Sequence, residues 1–382
     1  MIMAEILYIA SSRMPTEKGY GYQIVKMCEA FGVLGNKVTL IYPKRKNPIS
    51  QNIFDYYKVK EFQVKEISAP DFISTSHVFG KIFFWLTSIF YLFKLNNIPV
   101  EKGTIIYTRT AEIAWIFSRK GYKTIFEIHS FPKSKLFIYK KFLSGVFLFV
   151  ALTNALKEKL IQAGIEERKI IVSPDAVDLS VFSIEISKEQ ARKKFNIPHE
   201  KKILGYFGNF KTMGEDKGIS LILKALKNMP EEVVFLAVGG KPEDISFYER
   251  MIEPSLKPRV ILKERATHSD LAVYQKACDI LLMPFPDTTH YRLYMSPLKM
   301  FEYMASWRPI IASDLPSVRE VLNEENSCLV KPDDLEELSR GISNIIKNSK
   351  YAEKISTKAL KDVKNHTWEK RAGKIAEKII EN

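Results

Sequence analysis

The chain has 382 residues, of which 46% are hydrophobic and 27% are charged, and its formal net charge at pH 7 is +14. This length and composition are typical of a globular protein with two domains, and they exclude a disordered or low-complexity chain. The excess of basic residues favours anionic partners such as nucleotides, nucleic acid or an acidic membrane surface. We expect no nucleic acid partner, because neither paired Cys and His ligands nor the aromatic strands of an RNA-binding module are visible.

The cysteines and the hydropathy pattern favour a protein of the cytoplasm. Cys28, Cys278 and Cys328 are widely separated and have apolar neighbours, so we expect reduced core residues. Residues 1–13 lack the basic lead and apolar core of a signal peptide, and the longest apolar run, residues 82–93, is too short to span a bilayer. The expected location is cytoplasmic, with peripheral attachment to the inner face of the cytoplasmic membrane as an open alternative.

In the first half of the chain, strand and helix patterns alternate, which predicts a parallel, doubly wound sheet. Gly19 and Gly21 lie between the first strand and the first helix, where they leave the backbone free to approach a ligand. A loop with ordinary turn glycines explains them equally well. The predicted strands span residues 5–10, 38–42, 104–108, 123–128, 146–152 and 169–173, and the helices span residues 22–34, 72–95, 111–120 and 154–163.

The same alternation restarts after residues 173–182, whose proline and lack of periodicity fit a domain boundary, and we place the join near residues 181–187. We therefore expect an α/β fold with two Rossmann-like domains, residues 1–180 and 181–365, and a binding site in the cleft between them. The predicted strands span residues 203–207, 233–238, 260–263, 280–284, 310–313 and 328–330, and the helices span residues 218–227, 334–348, 351–365 and 368–380.

A polar loop follows the fourth strand of the second domain, and a helix with a well-marked start follows this loop. Ser296 is suited to the N-cap and Pro297 to the first helical position. Backbone amides around Ser296 and Leu298, the helix dipole and the charge of Lys299 favour a phosphate there. Glu302 lies about 9 Å further along the axis and leans back toward the helix start, where a ribose would lie. A capped helix with a surface carboxylate is the alternative interpretation.

Residues 296–321 resemble the donor-binding signature of the group 1, or family 4, retaining glycosyltransferases of the GT-B fold. The resemblance implies that Glu302 binds the ribose hydroxyls and that the first glutamate of the family motif is replaced by Tyr294. It also implies that residues 366–382 form a crossover helix that packs on the N-terminal domain. Retention of anomeric configuration without an enzyme nucleophile is a further implication.

The same resemblance implies further donor-site residues. Gly21 matches a loop that faces the donor sugar, and His129, at a strand end, matches a histidine that meets this sugar. Lys217 matches a lysine that neutralises the leaving diphosphate. Gly208 matches the first glycine of the diphosphate loop, but Asn209 replaces the usual arginine.

Three cations are candidates to replace that arginine: Lys211, Arg265 and Lys299. From the residues alone, His129 is also explained as a structural hydrogen-bonding group and Lys217 as a solvated surface lysine.

These features predict a glycosyltransferase that moves a hexose or N-acetylhexosamine from a UDP-, GDP- or ADP-sugar to a polysaccharide or lipid-linked glycan acceptor. No Asp-x-Asp motif occurs, so we expect no metal and no other cofactor. Two segments that mix bases with aromatics, residues 79–95 and 133–145, predict contact with an anionic membrane surface, or alternatively core packing. A non-catalytic subunit that binds a sugar nucleotide and a GT-B epimerase remain alternative functions.

Overall fold

The computed structural model describes residues 4–70, 80–131, 141–212 and 214–381, with side chains described from residue 85 onward in the second range. The chain divides into two compact units. Unit 1 comprises Met1–Pro174 and Trp368–Asn382, and unit 2 comprises Asp175–Thr367. This division falls within the boundary segment at residues 173–182, and the join predicted near residues 181–187 lies a short distance beyond it.

Unit 1 is built on a parallel sheet of seven strands in the order β3-β2-β1-β4-β5-β6-β7. The edge strand β3 was not predicted, because most of its side chains are exposed and it shows no apolar alternation. The strands are β1 (Glu5–Ile9), β2 (Lys37–Lys44), β3 (Gln63–Ser68), β4 (Ile105–Thr108), β5 (Thr124–Ile128), β6 (Leu148–Ala151) and β7 (Ile170–Val172).

Helices cover this sheet, and two of their boundaries bear on the sequence predictions. The first helix begins at Gly19, three residues before the predicted start, so Gly21 is helical and does not lie in a loop. Residues 71–79, part of the helix predicted at 72–95, lie outside the described residues. The helices of this part of the chain are α1 (Gly19–Val33), α2 (Ile53–Tyr57), α3 (Gly80–Asn96), α4 (Ala111–Arg119) and α5 (Asn154–Gln162).

The C-terminal helix (Trp368–Glu381) belongs to unit 1 and packs against α1. The Trp368 ring meets the Tyr22 ring edge-on at a centroid distance of 6.4 Å. Ala372 and Ile375 are fully buried on the same face. The prediction that the last helix crosses back to the N-terminal domain is therefore confirmed.

Unit 2 is built on a parallel sheet of six strands in the order β12-β11-β8-β13-β14-β15. A short antiparallel hairpin, β9 (Lys211–Thr212) and β10 (Glu215–Asp216), precedes its first long helix. The strands of the main sheet are β8 (Lys202–Phe207), β11 (Val233–Gly240), β12 (Val260–Glu264), β13 (Ile280–Met283), β14 (Ile310–Ser313) and β15 (Cys328–Val330).

The helices of unit 2 complete a second doubly wound domain, so the predicted fold class of two Rossmann-like α/β domains is confirmed. Its central strands β13 and β14 are buried along their whole length. The helices are α6 (Leu179–Phe182), α7 (Lys188–Phe195), α8 (Ile219–Lys227), α9 (Pro242–Met251), α10 (His268–Ala277), α11 (Thr289–Leu293), α12 (Leu298–Ala305), α13 (Pro316–Arg319), α14 (Leu335–Lys347) and α15 (Ser349–Asp362).

All three cysteines are free thiols; Cys28 and Cys278 are buried, and Cys328 is partly exposed. Within the described ranges, every helix is too short or too polar to cross a lipid bilayer.

Candidate functional site

The carboxyl ends of β8 and β11 approach each other closely in unit 2. Gly208 and Gly239 have φ values of 111° and 124°, a region that strongly favours glycine. A Cβ on Gly239 would lie 2.5 Å from the carbonyl oxygen of Gly208, and one on Gly208 would lie 3.3 Å from Cε of Lys299. The strand order also diverges on either side of β8, which is where open α/β sheets bind their ligands.

The start of α12 faces this edge but differs in detail from the prediction. Pro297 is the N-cap and Leu298 the first helical residue, one position later than expected. Ser296 does not cap the helix, because its Oγ accepts the backbone N–H of Asp175 at 2.8 Å. The hydroxyl ties the start of unit 2 to α12, and the first-turn amides still form the positive end of the helix dipole.

Lys299, in the first turn of α12, is a buried cation with only 8% of its surface exposed. Its Nζ lies 3.5 Å from the ring centroid of Tyr206 and 5.5 Å from that of Phe285. Among the described residues Nζ has no hydrogen-bond partner. Burial, together with the nearby charge of Lys217, holds the pKa of Lys299 well below its usual range. An anion placed here would supply the missing partner.

Lys217 contributes a second cation at the same edge, 5.9 Å from the Phe285 ring centroid. Burial lowers its pKa to about 8. The chain on either side is held firmly: the Asp216 carboxylate accepts the N–H of Gly218, and a Cβ on Gly218 would lie 2.1 Å from the carbonyl oxygen of Pro284. The structure therefore brings Lys217 and Lys299 to one place, as the sequence analysis expected.

Glu302 lies one turn beyond Lys299 on α12 and is 7% exposed. Burial raises its pKa to about 7, while the charge of Lys299 and the side chain of Gln275 act in the opposite direction. The carboxyl group is thus enclosed by unit 2 and does not point into bulk solvent. In its ionised form this carboxylate can accept hydrogen bonds from hydroxyl groups.

Two of the three cations considered as replacements for the missing arginine adjoin the turn after β8. Arg265 donates from Nη2 to Oδ1 of Asn209 at 3.0 Å, and Lys299 approaches the same turn from α12. Lys211 is directed elsewhere, with its Nζ 3.2 Å from the ring centroid of Phe247.

The polar segment before α12, predicted as a loop, contains the short helix α11. Its residue Tyr291 stacks on Phe285 with ring centroids 5.0 Å apart. Burial and the charge of Lys217 lower the pKa of His290, so this imidazole also lies near the lysines. Tyr294, where the family motif has its first glutamate, is the C-cap of α11. The sequence analysis missed His290, because it assigned no element to this segment.

In unit 1, His129 follows β5 and has both ring nitrogens engaged. Its Nδ1 lies 2.7 Å from Nη2 of Arg109, and its Nε2 lies 2.6 Å from Oε1 of Glu127. Because a guanidinium only donates, Nδ1 accepts and Nε2–H donates to the carboxylate. Burial and the charge of Arg109 lower the pKa of His129 to about 4, so the ring is neutral at pH 7. A role in proton transfer would require one of these bonds to open.

Glu127 connects this histidine to the C-terminal helix. Its Oε2 accepts from both Nη atoms of Arg371 at 3.1 Å and from the hydroxyl of Tyr107. Burial acts to raise the pKa of Glu127, but Arg371, His129 and Arg109 outweigh it and hold the pKa well below the usual range. The sequence analysis missed this network. Its one available signal was an arginine on the apolar face of the last helix.

Beside this network lies a pocket of about 840 Å³, formed wholly by unit 1. The segments after β1, β2, β4 and β5 line it, together with the start of α1. Gly21 is not among the lining residues. It packs beneath them, since a Cβ there would lie 2.2 Å from the Tyr57 hydroxyl and 2.5 Å from a methyl carbon of Thr16.

Sequence comparison finds a match to a family model within the second half of the chain. Residues 201–348 match the family model described as glycosyl transferases group 1. The chain is 28% identical over 166 residues to TuaH of Bacillus subtilis, provisionally named a teichuronic acid biosynthesis glycosyltransferase, covering 43% of this chain and 38% of TuaH. It is 23% identical over 210 residues to the D-inositol 3-phosphate glycosyltransferase of Xylanimonas cellulosilytica, covering 52% and 48% of the two chains. The chain therefore spans less than half the length of these two curated relatives.

Solved structures match the fold over nearly the whole chain. Sucrose-phosphate synthase from Thermosynechococcus elongatus superposes with a TM-score of 0.77 at 20% identity, covering 98% of each chain. Anabaena HepE in complex with UDP gives a TM-score of 0.73 at 15% identity, covering 99% of this chain and 100% of HepE. By sequence, residues 201–348 are similar to the group 1 glycosyl transferases, and the chain as a whole has the GT-B fold.

Proposed function

We propose that this protein is a glycosyltransferase whose nucleotide-sugar donor binds at the carboxyl edge of the unit 2 sheet. The single observation that carries the proposal is that Lys299, in the first turn of α12, is buried and its Nζ has no hydrogen-bond partner among the described residues. A cation in such a place destabilises the free protein unless a ligand pairs with it. The diphosphate of a nucleotide sugar has the charge and shape to do so.

The surrounding groups support a diphosphate and a ribose as the ligands. Lys217 adds a second cation, and glycine at position 208 leaves the backbone open to close approach. Pro297 and Leu298 begin a helix whose positive end faces the same edge. Glu302, one turn on, would accept the ribose hydroxyls. HepE, which has a similar fold, binds UDP and UDP-glucose, so we place UDP-sugars ahead of GDP- and ADP-sugars.

In the proposed reaction, the bond between the anomeric carbon and the diphosphate oxygen breaks, and the acceptor hydroxyl oxygen forms the new bond to that carbon. The electron pair of the broken bond stays on the leaving diphosphate. The proton of the acceptor hydroxyl is transferred to an oxygen of this diphosphate. Lys217, Lys299 and the first-turn amides of α12 stabilise the developing charge without a metal. Removing one such donor typically costs about 3–4 kcal/mol of transition-state stabilisation.

The family resemblance adds that the anomeric configuration is retained and that the acceptor is a polysaccharide or a lipid-linked glycan. Retention is tested by the anomeric coupling constant of the product in NMR spectra. A product of inverted configuration would overturn this part of the proposal. Undiminished turnover in excess EDTA is expected if no divalent metal takes part.

The donor is tested with a thermal-shift screen of UDP-, GDP- and ADP-sugars, followed by measurement of free sugar released without acceptor. We expect one nucleotide class to raise the melting temperature, and Lys217→Ala to lower turnover at least tenfold. The matched control is Lys224→Ala, an exposed lysine on α8. Failure of every donor to bind would overturn the proposal, whereas binding without sugar release, with and without glycan acceptors, would identify a non-catalytic subunit.

We also propose that unit 1 contacts an anionic membrane surface through α3. Trp85, Ile89 and Phe93 follow one another at four-residue spacing on this helix and are 66%, 54% and 65% exposed. This spacing forms one apolar face, which interfacial helices insert into lipid. Most of the second candidate segment, residues 133–145, lies outside the described residues.

Co-sedimentation with vesicles tests this contact. We expect binding to vesicles that contain phosphatidylglycerol at low salt, and loss of binding in Trp85→Ser/Phe93→Ser. Trp307→Ser, which removes an exposed tryptophan of unit 2, serves as the control. Absence of binding to anionic vesicles, or equal binding by both variants, would contradict the proposal.

A further inference from the structure

An exposed tryptophan with an unusual backbone conformation lies at the amino edge of the unit 2 sheet. Trp307 follows the end of α12 by two residues and is 44% exposed. Its φ of 55° lies in the left-handed region, which bulky residues rarely adopt and which costs stability. Glycine would end the helix at lower cost. The presence of tryptophan at this position therefore points to a role for its side chain on the surface.

The indole ring of Trp307 is held in place by two neighbours. Its Nε1–H donates to Oγ1 of Thr357 on α15 at 3.2 Å, and Nη1 of Arg308 donates to the carbonyl oxygen of Trp307 at 3.1 Å. The ring and the backbone that carries it are therefore fixed before a ligand arrives. Such preorganisation lowers the entropic cost of binding.

Trp307 forms part of the wall of a depression of about 350 Å³. This depression lies where β8 and β13 begin, so it is on the opposite edge of the sheet from the candidate donor site. Pro309 and Ile345 contribute apolar lining, and Ser349 and Glu353 add polar groups. Its volume is within the range of sites that bind small molecules or single units of a polymer.

A second depression, of about 590 Å³, adjoins the first along α15. Glu353 lines both depressions, and Thr357, which accepts the indole N–H of Trp307, lines the second. Four lysines and two glutamates contribute to the second wall, which leaves an excess of two positive charges. The lysines are Lys350, Lys354, Lys358 and Lys361, and the glutamates are Glu325 and Glu353.

One of the four lysines is paired with carboxylates. Lys358 lies 3.6 Å from the carboxylate of Glu325 and also pairs with a carboxylate on α15. Lys350, Lys354 and Lys361 are exposed and form no ion pair with a residue in the described part of the chain. They are four and seven positions apart, so they lie on one face of α15 and extend over about 16 Å of its axis. This row of ammonium groups is available to an anionic ligand.

A fixed aromatic ring beside a row of ammonium groups fits an acidic glycan chain. A pyranose ring presents C–H groups on its face, which pack on the face of an indole ring. Its hydroxyl groups accept hydrogen bonds from ammonium groups and donate to carboxylates such as that of Glu353. Carboxylate or phosphate groups further along the glycan would pair with the lysines of α15.

Other polyanions fit this surface less well. Interfacial helices insert apolar side chains into lipid, whereas Glu353 and Thr357 lie among the lysines on the exposed face of α15. Proteins that bind single-stranded nucleic acid stack successive bases on several aromatic side chains. Among the described residues that line the two depressions, Trp307 is the one aromatic residue.

We infer that this surface of unit 2 binds an acidic glycan chain. One sugar ring stacks on Trp307, and acidic groups of the chain pair with Lys350, Lys354 and Lys361. The inference does not rest on the proposed donor site, which occupies the other edge of the sheet. A chain bound here leaves that edge free, and its attachment raises the effective concentration of the glycan around the protein.

The stacking contact is tested by calorimetric titration of a hyaluronan oligosaccharide at low salt. We expect Trp307→Gly to bind this acidic glycan about tenfold more weakly, because the aromatic surface is lost. Glycine accepts a φ of 55°, so the variant retains the backbone conformation. Trp307→Phe, which keeps an aromatic face, should lose less than about threefold. The control is Trp85→Ser/Phe93→Ser, which removes exposed aromatic residues of unit 1 and should bind as the unmutated protein does.

The ionic contacts are tested with Lys350→Gln/Lys354→Gln. This variant should bind hyaluronan about tenfold more weakly, at about threefold for each exposed ion pair. The matched control, Lys224→Gln/Lys257→Gln, removes the same charge from exposed positions of unit 2 outside both depressions. It should change the dissociation constant by less than about twofold, because salt screens distant surface charges. The carboxyl-reduced, neutral form of the glycan should bind more weakly and should not distinguish the first variant from the unmutated protein.

Several results would overturn the inference. Unmeasurable binding of hyaluronan by the unmutated protein, or an unchanged affinity in a folded Trp307→Gly variant, would do so. Equal affinity for the acidic and neutral forms would contradict the acidic class of the glycan. Single-stranded RNA or phosphatidylglycerol vesicles that bind more tightly than hyaluronan, and lose affinity in the same variants, would exclude a glycan as the ligand. Failure of every nucleotide to bind would instead overturn the proposed donor site alone.

Discussion

The sheet edges of the two units both contain buried charged groups, but only the group in unit 1 is paired with opposite charges. In unit 1, Glu127 is almost fully enclosed and is balanced by Arg371, Arg109 and a hydrogen bond from His129. In unit 2, Lys299 is also buried, and its Nζ has no hydrogen-bond partner among the described residues. Removing a cation from the first arrangement would leave a buried charge without compensation, whereas the second arrangement already costs stability that a ligand would restore.

This contrast separates structural groups from binding groups. A network whose members satisfy one another gains little from a ligand, and its loss should appear chiefly as lower stability. An unpaired cation should show the reverse behaviour, in which its removal harms binding but not folding. Each prediction below measures one side of this difference.

The largest expected effect is on folding, at Arg371. Arg371→Ala leaves the Glu127 carboxylate buried without its main counter-charge, so we expect the free energy of unfolding to fall by about 3–5 kcal/mol. Urea denaturation measures this change. Lys378→Ala on the same helix, which breaks a surface pair with Glu381, should cost less than about 1 kcal/mol. Equal losses in the two variants would show that the buried network is not structural.

Lys299→Met should affect folding and binding in opposite directions. It replaces an unpaired buried amine with an apolar chain of similar length, so we expect the ligand-free protein to gain about 1–3 kcal/mol of stability. The same variant should bind a nucleoside diphosphate at least about tenfold more weakly, because a charge-assisted hydrogen bond is lost. Thermal denaturation and calorimetry on one preparation give both values. Lower stability with unchanged affinity would refute the assignment.

The affinity for a nucleoside diphosphate should fall as the pH rises. The pKa of Lys217 is about 8 in the free protein and that of Lys299 is also lowered, whereas a bound diphosphate favours the charged form of both. Binding therefore takes up protons above the free-state pKa, and each lysine weakens affinity by up to about tenfold per pH unit there. Calorimetry at pH 7, 8 and 9 measures this slope, and Lys217→Ala should reduce it. A flat profile would exclude a contact between the lysines and the diphosphate.

Glu302→Gln should have the smallest effect, about tenfold on affinity, because an amide oxygen replaces a carboxylate as acceptor for the ribose hydroxyls. The pKa of Glu302 is about 7, so the carboxylate is increasingly protonated as the pH falls below 7. The unmutated protein should therefore lose affinity between pH 7 and pH 6, and the variant should lose less. A 2′-deoxy nucleotide supplies the control. Because it lacks one of the ribose hydroxyls, it should bind the unmutated protein and the variant with similar affinity.

The regular parts of both domains were predictable from the sequence, because buried parallel strands and covering helices impose clear apolar patterns. The positions of Lys299 and Glu302 on one helix were predictable for the same reason. Strand β3 was not, since its side chains are exposed, and the hairpin β9–β10 has strands of two residues each. Patterns that short carry no periodicity.

Contacts between residues far apart in the sequence were the other feature that could not be predicted. Glu127 and Arg371 lie 244 positions apart, and no local pattern relates them. The start of α12 was misplaced by one residue because Ser296 has the identity of an N-cap but serves Asp175 instead. Local propensity identified residue types that suit a helix start. The role of each residue, however, depends on tertiary hydrogen bonds that local propensity does not include.

A crystal structure of the protein with a bound nucleoside diphosphate tests the difference between the two units most directly. We predict that phosphate oxygens lie within about 3 Å of Nζ of Lys299 and Lys217, and that the ribose hydroxyls donate to Glu302. A diphosphate bound elsewhere, with Lys299 still buried and without a partner, would contradict the assignment of this edge of unit 2 as the donor site.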